Sequence, residues 1–380
     1  MSIPWTVVAA AVALNVLSTK HTPAFPLDAS EEVATTRWNT QNEGVIKERI
    51  QRIALPFEAK YNAKVRTYIQ DYVVTGHKQT EDILGRSMMY FPIFEHYLSI
   101  YRLPKELMYL PIVESALKPT AKSPAGAAGL WQLMPQTARS YGLKVDGAVD
   151  ERLDPYRSTE AAVRVLASLH KEYKDWRMVL VAYNCGPTKL EHAMRLAGSK
   201  DYWQYEKYLP AQTRRYVPAY VAAAYVVHYP HKHKLKARYP SLHLRETRVL
   251  KVYQALSFRE VAAACKMAPS IITTLNPGYL QKAVPRNKRG QFLILPASAV
   301  TAFKDYLADK NAKKASLTVP ANKFKSSYVV AKGERIQNLA KLFQCSVQDL
   351  MKWNGLSEAE VFVNQELIVY LTKDLLSKRA

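Results

Sequence analysis

The chain is 380 residues long, 48% hydrophobic and 23% charged, with 13 Gly and 21 Pro, enough for two or three domains that each bury a core. That mixture excludes a collagen, a low-complexity disordered chain and a coiled-coil rod. Lys and Arg outnumber Asp and Glu by 54 to 32, and the formal charge of +22 points to a polyanionic partner (nucleic acid or an anionic envelope surface) or to plain solubility. The surplus is uneven. Residues 231–325 hold 19 Lys and Arg against four acids, Glu246, Glu260, Asp305 and Asp309, so +15 of the charge lies in a quarter of the molecule.

At the N-terminus, Ile3 to Leu17 (IPWTVVAAAVALNVL) is uncharged over about 15 residues, shorter than the ~20 a spanning helix needs but suited to the apolar region of a secretory signal. Residues 1–24 are therefore expected to be a signal peptide, with Thr22-Pro23-Ala24 the nearest small-residue stretch. A buried N-terminal helix is the alternative, because no Lys or Arg precedes the run. No cysteine lies in the first 50 residues, so a lipidated cysteine anchor is not expected. Cys185, Cys265 and Cys345 are widely separated singles, which indicates neither a zinc site nor a disulfide framework.

Residues 104–225 are helical in pattern. Ala162, Leu166, Leu169 and Tyr173 mark one face of a helix expected to begin near Ser158. P-loop, HExxH, GxSxG and GxGxxG motifs are absent, which removes the signatures of nucleotide, zinc-protease and serine-hydrolase chemistry. Glu114 sits in LMYLPIVESAL without a cation between Leu107 and Leu117. A carboxyl in apolar surroundings favours its neutral form and moves toward the pKa of a general acid at neutral pH; an ordinary surface Glu on a polar helix face is the competing reading. Downstream stand Ser123, the loop Gly126-Ala-Ala-Gly129-Leu-Trp-Gln-Leu-Met-Pro135, Ala182-Tyr-Asn-Cys-Gly186 and Gln212-Thr-Arg-Arg-Tyr-Val-Pro218. The glycines allow a tight, closely approached loop. Gln132, Tyr183, Asn184 and Tyr216 are hydrogen-bonding residues of the kind that line sugar sites. Trp131 and Tyr183 offer ring faces for sugars, while Trp131, Leu130 and Met134 also suit a core. Asp146, Asp150, Glu151 and Asp154 fall on a polar stretch between helices, where loop solubility, or capping by Asp154 before Pro155, is expected.

The C-terminal part repeats. In residues 327–371, Tyr328-Val329-Val330 predicts a strand and Gly333 a turn. Ile336, Leu339, Ala340 and Phe343 predict one apolar face of a short helix. Ser346 with Asp349 forms a capping box for a second helix, with Val347, Leu350 and Met351 facing inward. Asn354-Gly355 ends that helix and Leu367 to Tyr370 predicts a closing strand. A shift of 78 residues lays Phe258, Val261, Ala262, Cys265, Ile272, Leu275 and Asn276 on Ile336, Leu339, Ala340, Phe343, Leu350, Trp353 and Asn354, and Gln291–Pro296 then matches Gln365–Tyr370 after a four-residue insertion. Tandem small units of this kind suit binding modules.

The second unit resembles the LysM domain over its whole length. That resemblance implies a glycan groove between the loops Ala331 to Glu334 and roughly Asn354 to Phe362, with Gly333, Glu334, Asn354 and Gly355 as its glycan-binding positions. The first unit is a degenerate copy that lacks the Gly-Glu turn. The order ES, SxxGAxGLWQxMP, AYNxG and TRxYVP resembles the family 1 lytic transglycosylases, and the GLWQ form with C-terminal LysM units is most similar to the membrane-bound lytic murein transglycosylase D branch. The resemblance implies a mainly α, goose-type lysozyme-like catalytic domain followed by small α+β (βααβ) modules. It also implies peptidoglycan glycan strands as substrate, no cofactor or metal, and export to the periplasm or cell envelope. Carried over residue by residue, Glu114 is the catalytic acid/base; Ser115, Gln132, Met134, Tyr183, Asn184 and Tyr216 line the site, and Ser123 stands in the loop beside it. Cys185 occupies a position where many members have Ala and is expected only to pack. The expected organisation is a signal over 1–24, a helical lead-in over 25–84, a catalytic domain over 85–230, a basic linker over 231–245, the degenerate repeat over 246–298, a second basic linker over 299–326 and the LysM unit over 327–372. A monomer that binds no nucleic acid and rests near an anionic envelope surface completes the expectation. A hydrolytic muramidase and a non-catalytic wall-binding protein are the alternatives.

Overall fold

The computed structural model describes residues 43–316, 323–331, 333–356, 358–363 and 365–372, and the segment expected to be a signal lies outside them. The described chain is mainly helical, with three two-stranded antiparallel sheets confined to its C-terminal part. It divides into two compact units. One comprises the described residues up to Glu260 with Ala268–Ala297; the other comprises Val261–Met267 with the described residues from Ser298 onward.

The first unit opens with α1 (Glu43–Gln51), α2 (Ala63–Gln70), α3 (His77–Ile100), α4 (Leu110–Ser115), α5 (Pro135–Ser140), α6 (Pro155–Tyr173), α7 (Trp176–Cys185), α8 (Pro187–Ala197), α9 (Tyr202–Tyr205) and α10 (Tyr216–His228). Every residue of α10 from Tyr216 to Val226 is buried, the mark of a helix enclosed on all sides rather than an amphipathic surface helix. It packs against α2, α4 and α7. The Tyr220 hydroxyl donates to the Glu106 carbonyl at 3.0 Å, and Tyr109 and His228 meet at 2.9 Å, so the central helix holds the turn that leads into α4. Helix α6 begins at Pro155, three residues before the expected start. There Asp154 accepts the Tyr156 and Arg157 amides as the N-cap, as its position before Pro155 suggested. Ala162 and Leu166 are buried on the expected face.

Residues 231–245, expected as a linker, run along α3. The Arg238 amide donates to the Glu81 carbonyl at 3.0 Å and the Lys236 amide to the Glu81 carboxylate at 2.9 Å. Gly85 has no room for a side chain there, because a Cβ would lie 1.8 Å from the Arg238 carbonyl oxygen. After α11 (Leu242–Arg245), β1 (Thr247–Val252) pairs antiparallel with β4 (Gln291–Pro296), and β2 (Leu256–Ser257) with β3 (Ala283–Val284). Between them lie α12 (Phe258–Ala264) and α13 (Pro269–Leu275). The second expected linker, 299–326, is also a correction: Val300–Ser316 forms helix α14 with Phe303 fully buried, the good helix formers Ala, Leu and Lys outweighing its polarity.

The LysM-like unit of 327–371 follows its sequence pattern closely. Strand β5 (Phe324–Val329) pairs antiparallel with β6 (Glu366–Leu371), Tyr328 opposite Leu367. Helix α15 (Ile336–Leu342) buries Ile336, Leu339 and Ala340. Helix α16 (Val347–Asn354) carries the complete Ser346–Asp349 capping box and ends at Gly355 with φ 60°.

The 78-residue repeat is visible in hydrogen bonds. The Asn354 amide donates to the Leu350 and Ile368 carbonyls at 2.9 and 2.8 Å, and its oxygen accepts the Ile368 N–H at 2.6 Å. Asn276 makes the same three bonds, to the Ile272 and Ile294 carbonyls and from the Ile294 N–H, at 2.9, 2.8 and 2.8 Å. One asparagine thus stitches the second helix to the closing strand in both copies. The partner on the strand is 78 residues away less the four-residue insertion, as the sequence match required.

Candidate functional site

Glu114 lies near the end of α4, whose Leu110, Pro111 and Ile112 are buried. The helix stops abruptly because Ala116 and Leu117 adopt φ 50° and 57°. Two left-handed non-glycine residues in succession are costly and persist only where surroundings enforce them. Here Leu117 is fully buried and the Ala116 carbonyl accepts both Nε and a terminal nitrogen of Arg86 from α3, at 3.1 and 3.0 Å. Arg86 carried no signal in the sequence.

Part of Glu114 reaches solvent, yet removal of its carboxyl from water pushes its pKa from 4.5 up to about 7. The Tyr216 hydroxyl donates to its Oε1 at 2.5 Å and acts in the opposite direction by favouring the carboxylate. Tyr216 itself is buried, and its pKa and that of Tyr183 are raised first by burial and then by the nearby Glu114 charge. Glu114, Tyr183 and Tyr216, from α4, α7 and α10, therefore share one site. Asn184 follows Tyr183 at the end of α7, partly exposed.

The loop from Ala121 to Leu133 closes over this site through its own backbone. Ala128 and Leu133 exchange both hydrogen bonds at 3.1 Å, the Gly129 amide reaches Ala121 at 2.9 Å, and Ser123 Oγ accepts the Ala127 amide at 3.0 Å. Gly126 and Gly129 take φ 90° and 85°, as the sequence implied. Gln132 also has a positive φ, 48°, and its amide donates to the Gly129 and Ala121 carbonyls at 2.9 and 3.2 Å. The loop is tied to the helices twice. Ser115 Oγ lies 2.9 Å from the Pro111 and Leu130 carbonyls, and the Tyr183 hydroxyl donates to the Trp131 carbonyl at 2.8 Å. Met134 follows the loop as the partly buried N-cap of α5.

Trp131 is not a sugar platform. It is fully buried edge-on against Phe94, with its indole N–H on Thr159 at 2.9 Å. Cys185 is buried and packs, as expected. Each acid between α5 and α6 has local work. Asp146 accepts the Ala148 and Val149 amides, Glu151 accepts the Lys144 amide, Asp154 caps α6, and Asp150 forms a buried ion pair with Arg152. Among the described residues, no second carboxylate perturbs Glu114. No group of three or more His, Cys, Asp or Glu among them is placed to hold a metal ion. Two small pockets, one beside Lys60 and Trp203 and one beside Asp154 and Tyr279, are not lined by Glu114.

Comparisons with known proteins give the domains of the chain. Residues 93–206 match the Transglycosylase SLT domain, 246–312 match the LysM-like domain of lytic transglycosylase MltD, and 328–369 match the LysM domain. The membrane-bound lytic murein transglycosylase D of Escherichia coli K12 is 28% identical over 319 residues, covering 81% of this chain and 69% of that protein. The peptidoglycan transglycosylase gp16 of Escherichia phage T7 is 39% identical over 23% of this chain and 7% of its own length. The soluble lytic murein transglycosylase of Escherichia coli K12 is 29% identical over 34% of this chain and 21% of its own length. The chain thus has the make-up of a lytic transglycosylase, an SLT domain followed by an MltD-type LysM-like domain and a LysM domain.

Proposed function

We propose that the protein cleaves the MurNAc–GlcNAc β-1,4 bond of peptidoglycan without water, with Glu114 as the single general acid and base. Glu114, which a pKa of about 7 leaves about half protonated at neutral pH, protonates the glycosidic oxygen in its neutral form as the bond to C1 breaks, and the substrate's own N-acetyl group stabilises the cation. The resulting carboxylate, steadied by the Tyr216 hydroxyl, takes the proton of the MurNAc C6 hydroxyl, whose oxygen closes on C1 as a 1,6-anhydro ring. Glu114 ends protonated, as it began. Ser115, Ser123, Gln132, Met134, Tyr183 and Asn184 shape the surrounding site, and positioning of the C6 hydroxyl replaces an activated water.

The observation that carries this reading is a lone, desolvated carboxyl with a pKa of about 7 and a tyrosine donor at 2.5 Å. Hydrolytic glycosidases normally pair two carboxyls, ~5–5.5 Å apart when retaining and ~6.5–9.5 Å apart when inverting. The acids between α5 and α6 are committed elsewhere.

The LysM unit supplies a groove for the same glycan between its two loops. Gly333, Glu334, Asn354 and Gly355 build that groove chiefly through the backbone. Glu334 accepts from the Tyr328 hydroxyl and the Ala331 amide, and Asn354 is used by the fold. Export by the N-terminal segment would place the enzyme in the periplasm or cell envelope.

Incubation with peptidoglycan sacculi, followed by mass spectrometry of the soluble products, tests the chemistry. Anhydro-muropeptides from the wild type that disappear with Glu114→Gln are expected. Products that have gained water identify a muramidase, and products unchanged by Glu114→Gln remove Glu114 from the reaction.

A further inference from the structure

The segment Ala148–Arg152, with isolated bridges at Val149 and Asp150 running into a 3-10 turn at Glu151–Leu153, lies between two partners within the first unit. On one side is the loop that carries Gln132. Arg152, 6% exposed, grips Asp150 with Nε and a terminal nitrogen at 2.9 and 2.8 Å, and its other terminal nitrogen donates to the Gly126 and Leu133 carbonyls at 2.6 and 3.1 Å. Those carbonyls bracket the loop. Gly129, inside it, sits so close that a Cβ would lie 1.8 Å from the Arg152 carbonyl oxygen. On the other side is the degenerate repeat. Val149 bridges Tyr279, the Asp150 amide donates to the Gly278 carbonyl at 2.8 Å, and the Leu280 amide donates to the Ala148 carbonyl at 3.0 Å. Tyr279 is anchored to strand β4 of the repeat by its hydroxyl on the Phe292 carbonyl.

Asp150 therefore joins the two sides: its backbone pairs with the repeat, and its carboxylate aims the arginine that holds the loop. A buried ion pair adds little net stability after desolvation, so its use here lies in fixing one arrangement. A module whose task was only to recruit glycan would need no more than a tether.

We propose that Arg152 is a positioning residue for the catalytic loop, and that the degenerate repeat acts through Gly278–Leu280 as a clamp that sets turnover rather than as a second glycan-binding module. The inference rests on the reading of Glu114 given above.

Three substitutions in the full-length protein test it. Arg152→Lys keeps the charge and loses the fork. Gly278→Ala and Gly278→Val form a graded series outside the catalytic residues, since a Cβ at 278 meets the Asp150 carbonyl oxygen at 3.1 Å. Each is assayed on sacculi and on a soluble muropeptide glycan of two disaccharide units, well below its melting temperature, with circular dichroism as the check on folding. Arg152→Lys should lower kcat roughly tenfold to a hundredfold, as small misplacements in active sites do, with KM within about twofold. The glycine series should lower kcat in order of side-chain size and leave binding to sacculi unchanged. The Arg152→Lys, Gly278→Val double variant should fall little further than Arg152→Lys alone, because both act through one path.

Unchanged kcat in the folded glycine variants overturns the clamp, as does weakened sacculus binding with kcat intact. Additive losses overturn the shared path. If Arg152→Lys does not fold, the glycine series decides the question alone. Failure of the Glu114 reading is distinguished by activity that survives Glu114→Gln.

Discussion

At Glu114 two influences oppose each other. Desolvation favours the acid and the Tyr216 hydroxyl favours the carboxylate, and the balance falls at about 7. Tyr216→Phe removes only the second. The Glu114 pKa should then rise further, and the alkaline limb of the pH–rate profile should move upward by about one unit, the worth of one hydrogen bond to a charged group. The rate should fall as well, since the proposed second step needs the carboxylate. An alkaline limb that stays in place in Tyr216→Phe would separate that limb from Glu114. The apolar run around Glu114 was legible in the sequence, and so was the expectation of a raised pKa. Tyr216 was legible as a site residue, but not as the group that tempers Glu114, because it lies 102 residues away and only the burial of α10 brings them together.

Local signals spoke clearly at the scale of elements. The Ser346–Asp349 box, the Gly355 stop and the apolar spacing of 336–343 describe short-range physics, and the structure reproduces them. Asn354 was read as a glycan contact; its side chain is instead a buckle between α16 and β6, as Asn276 is between α13 and β4. Asn354→Ala leaves one N–H and two carbonyls short of a partner, at about 1–3 kcal/mol for each group that stays buried. The LysM unit should therefore melt well below the rest of the chain in calorimetry, while activity on a short soluble glycan persists. One unshifted transition would show that water replaces those bonds without loss. For Trp131 the sequence allows both a ring face for sugars and a place in the core, and packing against Phe94 shows the core.

Across the whole molecule the basic surplus lies mainly in 231–325, outside the segment that carries Glu114. Lys232, Lys234, Lys282 and Arg289 are exposed there. Changing these four to Gln should weaken binding to sacculi at low salt and flatten its dependence on ionic strength, with little effect near 1 M, where screening reaches within ~3 Å. An unchanged salt dependence would leave the charge as a matter of solubility. Residues 231–245, read as a linker from composition, pack along α3, and 299–326 contains a 17-residue helix. Basic composition resembled a tether because periodicity there is weak, and burial of Phe303 is a tertiary fact.

The sequence by itself determined the helical class, the order of the modules, the repeat of 78 residues and the carboxyl on which the proposed chemistry rests. Each of these is written in spacing or in motif. Only the tertiary structure decided that Tyr216 holds Glu114, that Arg86 enforces the turn after it, and that Arg152 and Asp150 tie the loop carrying Gln132 to the degenerate repeat. These depend on which distant backbone groups are left needing a partner once the helices have packed, and no local pattern along the chain encodes that.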